Sequence, residues 1–257
     1  MTEQFDVTTT EHVIVPGERA AYTAVFDEKV RADAREVIDR YPDPRSALLP
    51  LLHLVQSVQG HVTNEGIEFC AEQLALATAE VSAVATFYTM YKRNPCGQHL
   101  VSVCTNTLCA AMGGDEVYKR LGDHLGVGHE ETAGTPGEQG SITLEHAECL
   151  AACDLAPVLQ INYEYYDNQD STTALELVRA LQRGEKPPPT RGAPLTDFRD
   201  VERQLAGFFD GPGAEAAENA SAAAPETVRG ARVADEHGWT APAMPDHAEL
   251  PPRPDDK

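Results

Sequence analysis

Apolar positions recur every three or four residues through the N-terminal third of the chain, which is the pattern of amphipathic helices. In the clearest run the shared apolar face carries Leu48, Leu51, Leu52, Val55 and Val58. A helix rich in charge and alanine is predicted before this run, over residues 26–40, and two more are predicted to start near Thr63 and Thr78. Residues 21–95 are therefore predicted to form a small helical bundle.

Beyond about residue 96 the pattern changes to short apolar runs, which are typical of strands. Strands are predicted over residues 99–104, 141–145, 157–162 and 163–166. One helix is predicted over residues 115–125 and another from about residue 172, whereas residues 127–140 are predicted to be a loop. The order strand, helix, three strands, helix predicts a small mixed sheet with packed helices over residues 96–185, and an α+β fold for the whole chain.

The two ends of the chain carry weaker patterns. Residues 1–20 are predicted to be a flexible leader, and residues 186–257 a largely disordered acidic tail rich in Pro and Ala, with few large apolar residues. Within this tail, residues 197–209 form one predicted helix whose apolar stripe consists of Phe198, Val201, Leu205 and Phe208. Two alternatives are open for this helix: it docks on a partner subunit, or it folds back on its own chain.

Charge and targeting features narrow the possible functions. The formal net charge of −21 argues against binding to nucleic acid or to an anionic lipid surface. No apolar run approaches the roughly 18 residues of a membrane-spanning helix, and the N-terminus lacks the features of a secretory signal. The chain is expected in a reducing cytosol, where its six cysteines are poor disulfide candidates.

Four of the cysteines form two close pairs, each at the end of a predicted strand. Four residues separate Cys104 from Cys109, and three separate Cys149 from Cys153. Four thiolates on two loops suit a [2Fe–2S] cluster, and they also suit a structural zinc site. The spacing alone leaves these two alternatives about even, with four unrelated buried thiols the least favoured interpretation.

The remaining candidates are less informative. Cys70 lies on an apolar helix face and is predicted to be a core thiol, while Cys96 lies in a turn between the two regions, where a ligand or redox role is disfavoured. His146 is predicted to be a surface residue of a strand. The glycines around Gly113 and Gly122 do not form a dinucleotide fingerprint, and no residue is predicted to be catalytic.

Several of these segments together resemble one known family. They are residues 46–59 (SALLPLLHLVQSVQ), residues 80–91 (EVSAVATFYTMY) and the two cysteine segments VCTNTLC and ECLAACDLAPVLQIN. In this order they resemble the 24 kDa [2Fe–2S] subunit of respiratory complex I, the NADH-quinone oxidoreductase, over about residues 25–185. The resemblance implies a thioredoxin-like domain after the helical bundle, with one [2Fe–2S] cluster on Cys104, Cys109, Cys149 and Cys153.

The resemblance also implies a function and partners. The chain would be an electron-transfer subunit without turnover of its own, whose cluster exchanges single electrons with the FMN of a partner subunit that also binds NADH. A large iron–sulfur subunit is a second expected partner, and the complex would deliver electrons to quinone at the inner face of the plasma membrane, without direct membrane insertion of this chain. The alternatives are an equivalent small subunit of an NAD-linked formate dehydrogenase or hydrogenase, a zinc-stapled interaction protein, and a free-standing ferredoxin.

The sequence departs from the family pattern in three places. There is a Gly-rich insertion at about residues 134–140, and the tail continues beyond residue 186. The family often has a glycine between the last two cysteines, where this chain has Leu150, Ala151 and Ala152. None of the three removes an expected ligand.

Overall fold

Four helices form the N-terminal part of the computed structural model, which describes residues 25–219, 228–241 and 243. They are α1 (Glu28–Asp39), α2 (Leu48–Gln59), α3 (Asn64–Leu74) and α4 (Thr78–Phe87), and a 3₁₀ turn over Pro44–Ala47 leads into α2. Asp27 caps α1 and Thr63 caps α3, while α2 ends at Gly60 in a left-handed conformation. The prediction of Thr78 as a cap is wrong, because Ala77 precedes α4 and donates its N–H to Glu80 at 3.0 Å.

The bundle is held together by a continuous apolar core. Leu51, Leu52 and Val55 of α2 are fully buried in it, and the ring of Phe26 stacks on that of Phe69 with 4.5 Å between centroids. Each such side chain contributes about 1.5–3 kcal/mol when it is removed from water. The predicted apolar face of α2 is thus the face that builds this core.

A five-stranded mixed sheet follows the bundle, and it confirms the predicted α+β class. Its elements are β1 (His99–Cys104), α5 (Thr107–Ala111), α6 (Gly114–Leu125), β2 (Glu131–Ala133), β3 (Ile142–Ala147), β4 (Leu159–Ile161), β5 (Glu164–Tyr166) and α7 (Ser171–Gln182). The strand order is β2-β3-β1-β4-β5, with β1 parallel to β3 and antiparallel to β4. The ends of β1 and β3 that precede the two cysteine pairs therefore lie side by side.

Strand β2 lies within the segment that was predicted to be a loop. It pairs antiparallel with β3, and Thr132 lies opposite Thr143. With three residues, all exposed or half-buried, it shows no apolar alternation. This strand forms because it pairs with β3, and the local sequence pattern does not show such a contact.

The segment after α7 packs on its own chain as far as residue 219. It contains α8 (Phe198–Leu205) and α9 (Pro212–Glu218). On the predicted stripe, Phe198 is buried beside Cys96 and Leu100, and Phe208 joins the bundle core. Val201 is also buried, whereas Leu205 is 45% exposed. This arrangement favours the fold-back alternative and leaves little of the stripe for a partner.

The polypeptide divides into two compact units, Met1–Ser221 and Ala222–Lys257. In the second unit the structure describes one helix, α10 (Arg229–Glu236), followed by an exposed Trp239 whose ring lies 5.0 Å from that of His237. The predicted leader at residues 1–20 lies outside the described residues. Throughout the described ranges, every helix falls short of the length and apolarity that crossing a membrane requires.

Candidate metal centre

The four predicted ligands come from two loops at neighbouring strand ends. Cys104 is the last residue of β1 and Cys109 lies in α5, immediately after it. Cys149 follows β3, and Cys153 opens a 3₁₀ turn over Cys153–Leu155. Because β1 and β3 are adjacent and parallel, the two cysteine pairs are brought to one edge of the sheet.

Backbone hydrogen bonds join the cysteine loops to each other and to the sheet. The N–H of Cys104 donates to the carbonyl of Val158 at 3.1 Å, and the N–H of Thr105 donates to the carbonyl of Ala147 at 3.1 Å. Within the second pair, the sulfur atoms of Cys149 and Cys153 are 3.6 Å apart. The two loops are therefore a single structural unit.

The surroundings of the four thiols are asymmetric. Cys104 and Cys109 are buried in a small apolar cluster with Ala152, Ala156 and Val158, whereas Cys149 and Cys153 are exposed. Two large apolar side chains beside the first pair also face outward, with Leu108 44% and Met112 55% exposed. The site is thus closed on the side of Cys104 and open on the side of Cys153.

The thiols interact electrostatically across the two loops. The pKa of Cys109 is raised to about 11, chiefly by burial and also by Cys104 and Cys153, against an opposing hydrogen bond from the N–H of Val158. The pKa of Cys153 is raised chiefly by its hydrogen bond and charge interaction with Cys149, and also by burial and by Cys104. Ionised thiolates that interact in this way repel one another, so a cation among the sulfurs would favour their ionised forms.

The residues present fit a [2Fe–2S] cluster on chemical grounds. Such a cluster takes four thiolates, and its positive irons would favour the ionised forms of Cys109 and Cys153, whose pKa values are raised. The N–H of Val158, directed at the sulfur of Cys109, is the kind of donor that tunes a cluster. The same four thiols also satisfy zinc, so the donor set alone does not separate the two metals.

Gly114 is a part of the site that the sequence reasoning did not single out. A Cβ at this position would lie 2.5 Å from the carbonyl oxygen of Cys104 and 2.9 Å from that of Cys109. Only a residue without a side chain lets the first turn of α6 approach the ligand backbone so closely. The Gly-Gly pair directly after the first cysteine loop was the available sequence signal.

The loop between the second pair of cysteines contains a residue in a strained conformation. Ala151 has a φ of 56°, in the left-handed region that favours glycine. Its neighbour Ala152 has a φ of −124° and is buried in the apolar cluster of the site. An alanine thus stands in this loop at a position where glycine would adopt the backbone conformation without steric cost.

A cleft of about 280 Å³ lies between the end of the bundle and the second cysteine loop. Its lining includes Cys149, Glu145, His129 and His146, and the two imidazole rings stack with 4.1 Å between centroids. A buried ion pair from Lys92 to Glu145 joins the bundle to β3 beside this cleft. His146 is exposed on β3, in agreement with its prediction as a surface residue of a strand.

The two other cysteines are buried, and burial disfavours ionisation of their thiols. Cys70 is fully buried in the bundle core, and this burial raises its pKa well above the usual range. Cys96 is 3% exposed, and burial raises its pKa to about 12. Neither belongs to the apolar cluster that surrounds Cys104 and Cys109, and Cys70 lies in the bundle core, as predicted.

Comparison with known proteins assigns a family. The model of the thioredoxin-like [2Fe–2S] ferredoxin family matches residues 34–182. An NADH-quinone oxidoreductase subunit from Mycobacterium tuberculosis is 50% identical over 240 residues, which cover 90% of this chain and 89% of that protein. Its counterpart of the same name from Rickettsia prowazekii is 38% identical over 162 residues, covering 61% of this chain and 88% of that protein.

The chain also aligns with a solved hydrogenase structure. An NAD+-reducing [NiFe]-hydrogenase in its air-oxidised state aligns with a TM-score of 0.46 at 17% identity, over 53% of this chain and 23% of the hydrogenase chain. The assignment therefore comes from the sequence relatives and the family model. The chain belongs to the thioredoxin-like [2Fe–2S] ferredoxin family and, within it, to the NADH-quinone oxidoreductase subunits that the mycobacterial and rickettsial proteins represent.

Proposed function

We propose that this chain is the [2Fe–2S] electron-transfer subunit of an NADH-oxidising respiratory complex. Its cluster is held by Cys104, Cys109, Cys149 and Cys153. The observation that carries the proposal is the placement of the two cysteine loops at the adjacent ends of β1 and β3, where Cys153 and Cys104 interact electrostatically. The names of the relatives support the parent complex, and the family supports an iron–sulfur cluster rather than zinc.

The chain's own residues have a positioning task. A bound [2Fe–2S] cluster takes up and returns one electron at a time. The two strand ends fix the ligand loops, the buried pair Cys104 and Cys109 excludes water from one side, and the N–H of Val158 stabilises charge on a ligand sulfur. The exposed pair, Cys149 and Cys153, leaves the other side accessible to a redox partner.

The expected partner carries the chemistry that this chain does not. Hydride removal from NADH is the work of a flavin, so the FMN and the NADH site belong to a neighbouring subunit of the complex. A large iron–sulfur subunit is the second expected neighbour. Association with the membrane would then come through these partners, at its inner face.

The first test is metal analysis of protein purified without oxygen. We expect two irons and two sulfides per chain, and a brown colour that bleaches with dithionite. One zinc per chain in colourless protein would contradict the electron-transfer proposal. Purification of the chain with its neighbours tests the parent complex, because co-purified hydrogenase or formate dehydrogenase subunits would replace the respiratory assignment.

The ligand assignment is tested by substitution. Cys104→Ser is expected to abolish or alter the EPR signal of the reduced cluster, because one of four thiolates is replaced by a weaker ligand. Cys96→Ser is the matched control, since this thiol is buried outside the site, and it should leave the signal unchanged. An unchanged signal in Cys104→Ser would remove that residue from the ligand set.

A further inference from the structure

The loop between Cys149 and Cys153 needs support from outside itself. It comprises only Leu150, Ala151 and Ala152, and both Ala151 and the two cysteines that flank the loop are exposed. Ala151 occupies a left-handed conformation, which an alanine adopts only where its surroundings impose it. Some contact must therefore hold the loop in this shape.

Tyr165 supplies such a contact. Its hydroxyl donates a hydrogen bond to the carbonyl oxygen of Leu150, with 2.8 Å between the oxygen atoms. Tyr165 lies in β5, which is paired with β4 and is therefore fixed by the sheet. Its ring packs with Leu150 and Leu155 on the apolar cluster that contains Cys104 and Cys109. The hydroxyl thus fixes a backbone atom next to Cys149.

Arg191 in turn fixes Tyr165. Its guanidinium carbon lies 3.9 Å from the centroid of the Tyr165 ring, in a cation–π arrangement. Two nitrogen atoms of the guanidinium donate to the two carboxylate oxygens of Asp167, at 3.0 and 3.2 Å. This bidentate pair is largely buried and sets the plane of the guanidinium over the ring.

The backbone around Arg191 is attached to the same strand. The N–H of Thr190 donates to the carbonyl of Tyr165 at 2.9 Å, and Arg191 forms an isolated bridge with Tyr165. Edge strand β5 is thereby covered by a segment beyond residue 182, where the family model ends. The first residues of the C-terminal extension thus reach the support of the second ligand loop.

The geometry points to Tyr165 and Arg191 as positioning residues for the loop that bears Cys149 and Cys153, acting through the carbonyl of Leu150. The role in cluster binding rests on the proposed function, whereas the hydrogen bond itself does not. With the hydroxyl in place, the loop presents its two sulfurs in one arrangement. Without it, the loop samples others, so the cluster is held less rigidly and lost more readily.

The test compares Tyr165→Phe with Tyr166→Phe in the full-length chain carrying its cluster. The control is matched, because the hydroxyl of Tyr166 also donates to a backbone carbonyl, that of Pro187 at 2.7 Å, away from the ligand loop. We expect Tyr165→Phe to speed two processes by about three- to tenfold, as the loss of one hydrogen bond predicts. They are the release of iron to a chelator and the hydrogen exchange of the amides at residues 150–153. We also expect a changed EPR line shape of the reduced cluster.

A second substitution tests the arginine. Arg191→Lys keeps the charge near Asp167 but removes the planar, bidentate contact, so we expect an effect in the same direction as that of Tyr165→Phe. If Tyr165→Phe matches Tyr166→Phe in exchange, iron release and EPR spectrum, the positioning role is refuted. If the wild-type chain holds no iron but Tyr165→Phe still speeds exchange of the loop amides, the loop support stands and the proposed cluster fails.

Discussion

Oε2 of Glu202 lies 2.6 Å from Nδ1 of His53, in the fully buried space between α8 and α2. The same oxygen accepts a hydrogen bond from the side-chain amide of Gln56 at 2.8 Å, and Oε1 accepts one from the hydroxyl of Tyr163 at 3.1 Å. Tyr163 belongs to the turn between β4 and β5. One carboxylate therefore connects the C-terminal segment, the bundle and the sheet.

Removal of this carboxylate should destabilise the chain itself. Glu202→Ala removes a hydrogen-bond partner from the buried His53 and Gln56 and from the half-buried Tyr163, and we expect the free energy of unfolding to fall by about 3 kcal/mol. Urea denaturation of the isolated chain measures this change. Leu205→Ala on the exposed side of the same helix is the control and should change stability by less than about 1 kcal/mol; an equal effect of the two would mean that the carboxylate has no special role.

Gly114 should tolerate no side chain. In Gly114→Ala the new methyl group meets the carbonyl oxygens of Cys104 and Cys109, so α6 must shift away from the first ligand loop. We expect a loss of about 1–3 kcal/mol in stability, as for other overpacked sites, together with a lower iron content.

The control for this substitution is Gly128→Ala. Its added Cβ would meet only the end of the Glu131 side chain, at 3.4 Å, and its backbone is not in the left-handed region. Normal iron content in both variants, measured on protein purified without oxygen, would contradict the close-approach argument.

Ala151 and Ala152 should respond differently to glycine. Ala151→Gly relieves about 1–2 kcal/mol of strain, because glycine adopts the left-handed conformation freely. The greater flexibility of glycine in the unfolded chain costs about 0.5–1 kcal/mol. The cluster should therefore be held at least as well as in the wild type. Ala152→Gly deletes a buried methyl group without relieving strain, so it should lose iron faster. Chelator-driven iron release ranks the two, and the reverse ranking would contradict the backbone assignment of this loop.

His99 should make the chain sensitive to acid. Its imidazole is buried in β1, and its pKa is lowered to about 4, chiefly by burial and also by Lys186, while Asp197 opposes the change. In the unfolded chain the pKa of a histidine is about 6.5, so the unfolded chain binds the proton more readily than the folded one. The contribution of neutral His99 to the free energy of unfolding is therefore fully present above about pH 6.5. As pH falls from about 6.5 to about 4, up to roughly 3 kcal/mol is lost.

The His99→Gln variant isolates this contribution from that of the many carboxylates. Its free energy of unfolding should fall less steeply than that of the wild type between pH 6.5 and 4. The two slopes come from urea denaturation at a series of pH values. Parallel slopes would show that His99 does not bind the proton on unfolding.

The sequence predicted those parts of the molecule that depend on local pattern. The apolar face of α2, the cap of α3, and strands β1 and β3 follow from periodicity and from residues such as Thr63. The two cysteine pairs were visible through their spacing, and their location at strand ends brought them together in the structure. Resemblance to a family, rather than spacing, favoured iron over zinc.

What the sequence did not predict depends on contacts between distant segments. Tyr165 and Arg191 are 26 residues apart by their numbers and meet only through the path of the chain over β5. Glu202 looked like one of many acidic surface residues, although it is fully buried. Its partners come from two other regions of the chain, and no local pattern encodes such an arrangement.

The contact between His53 and Glu202 spans 149 positions of the sequence, and this separation has a consequence for synthesis. At about 5–20 residues per second, a ribosome makes the partner helix roughly 7–30 seconds after α2. During that interval the surface of α2 that α8 later covers lacks this helix, and His53 lacks the carboxylate that it contacts in the complete chain. The nascent protein therefore cannot form all contacts of its helical bundle until the C-terminal extension has left the ribosome, even when the family domain has already been synthesised.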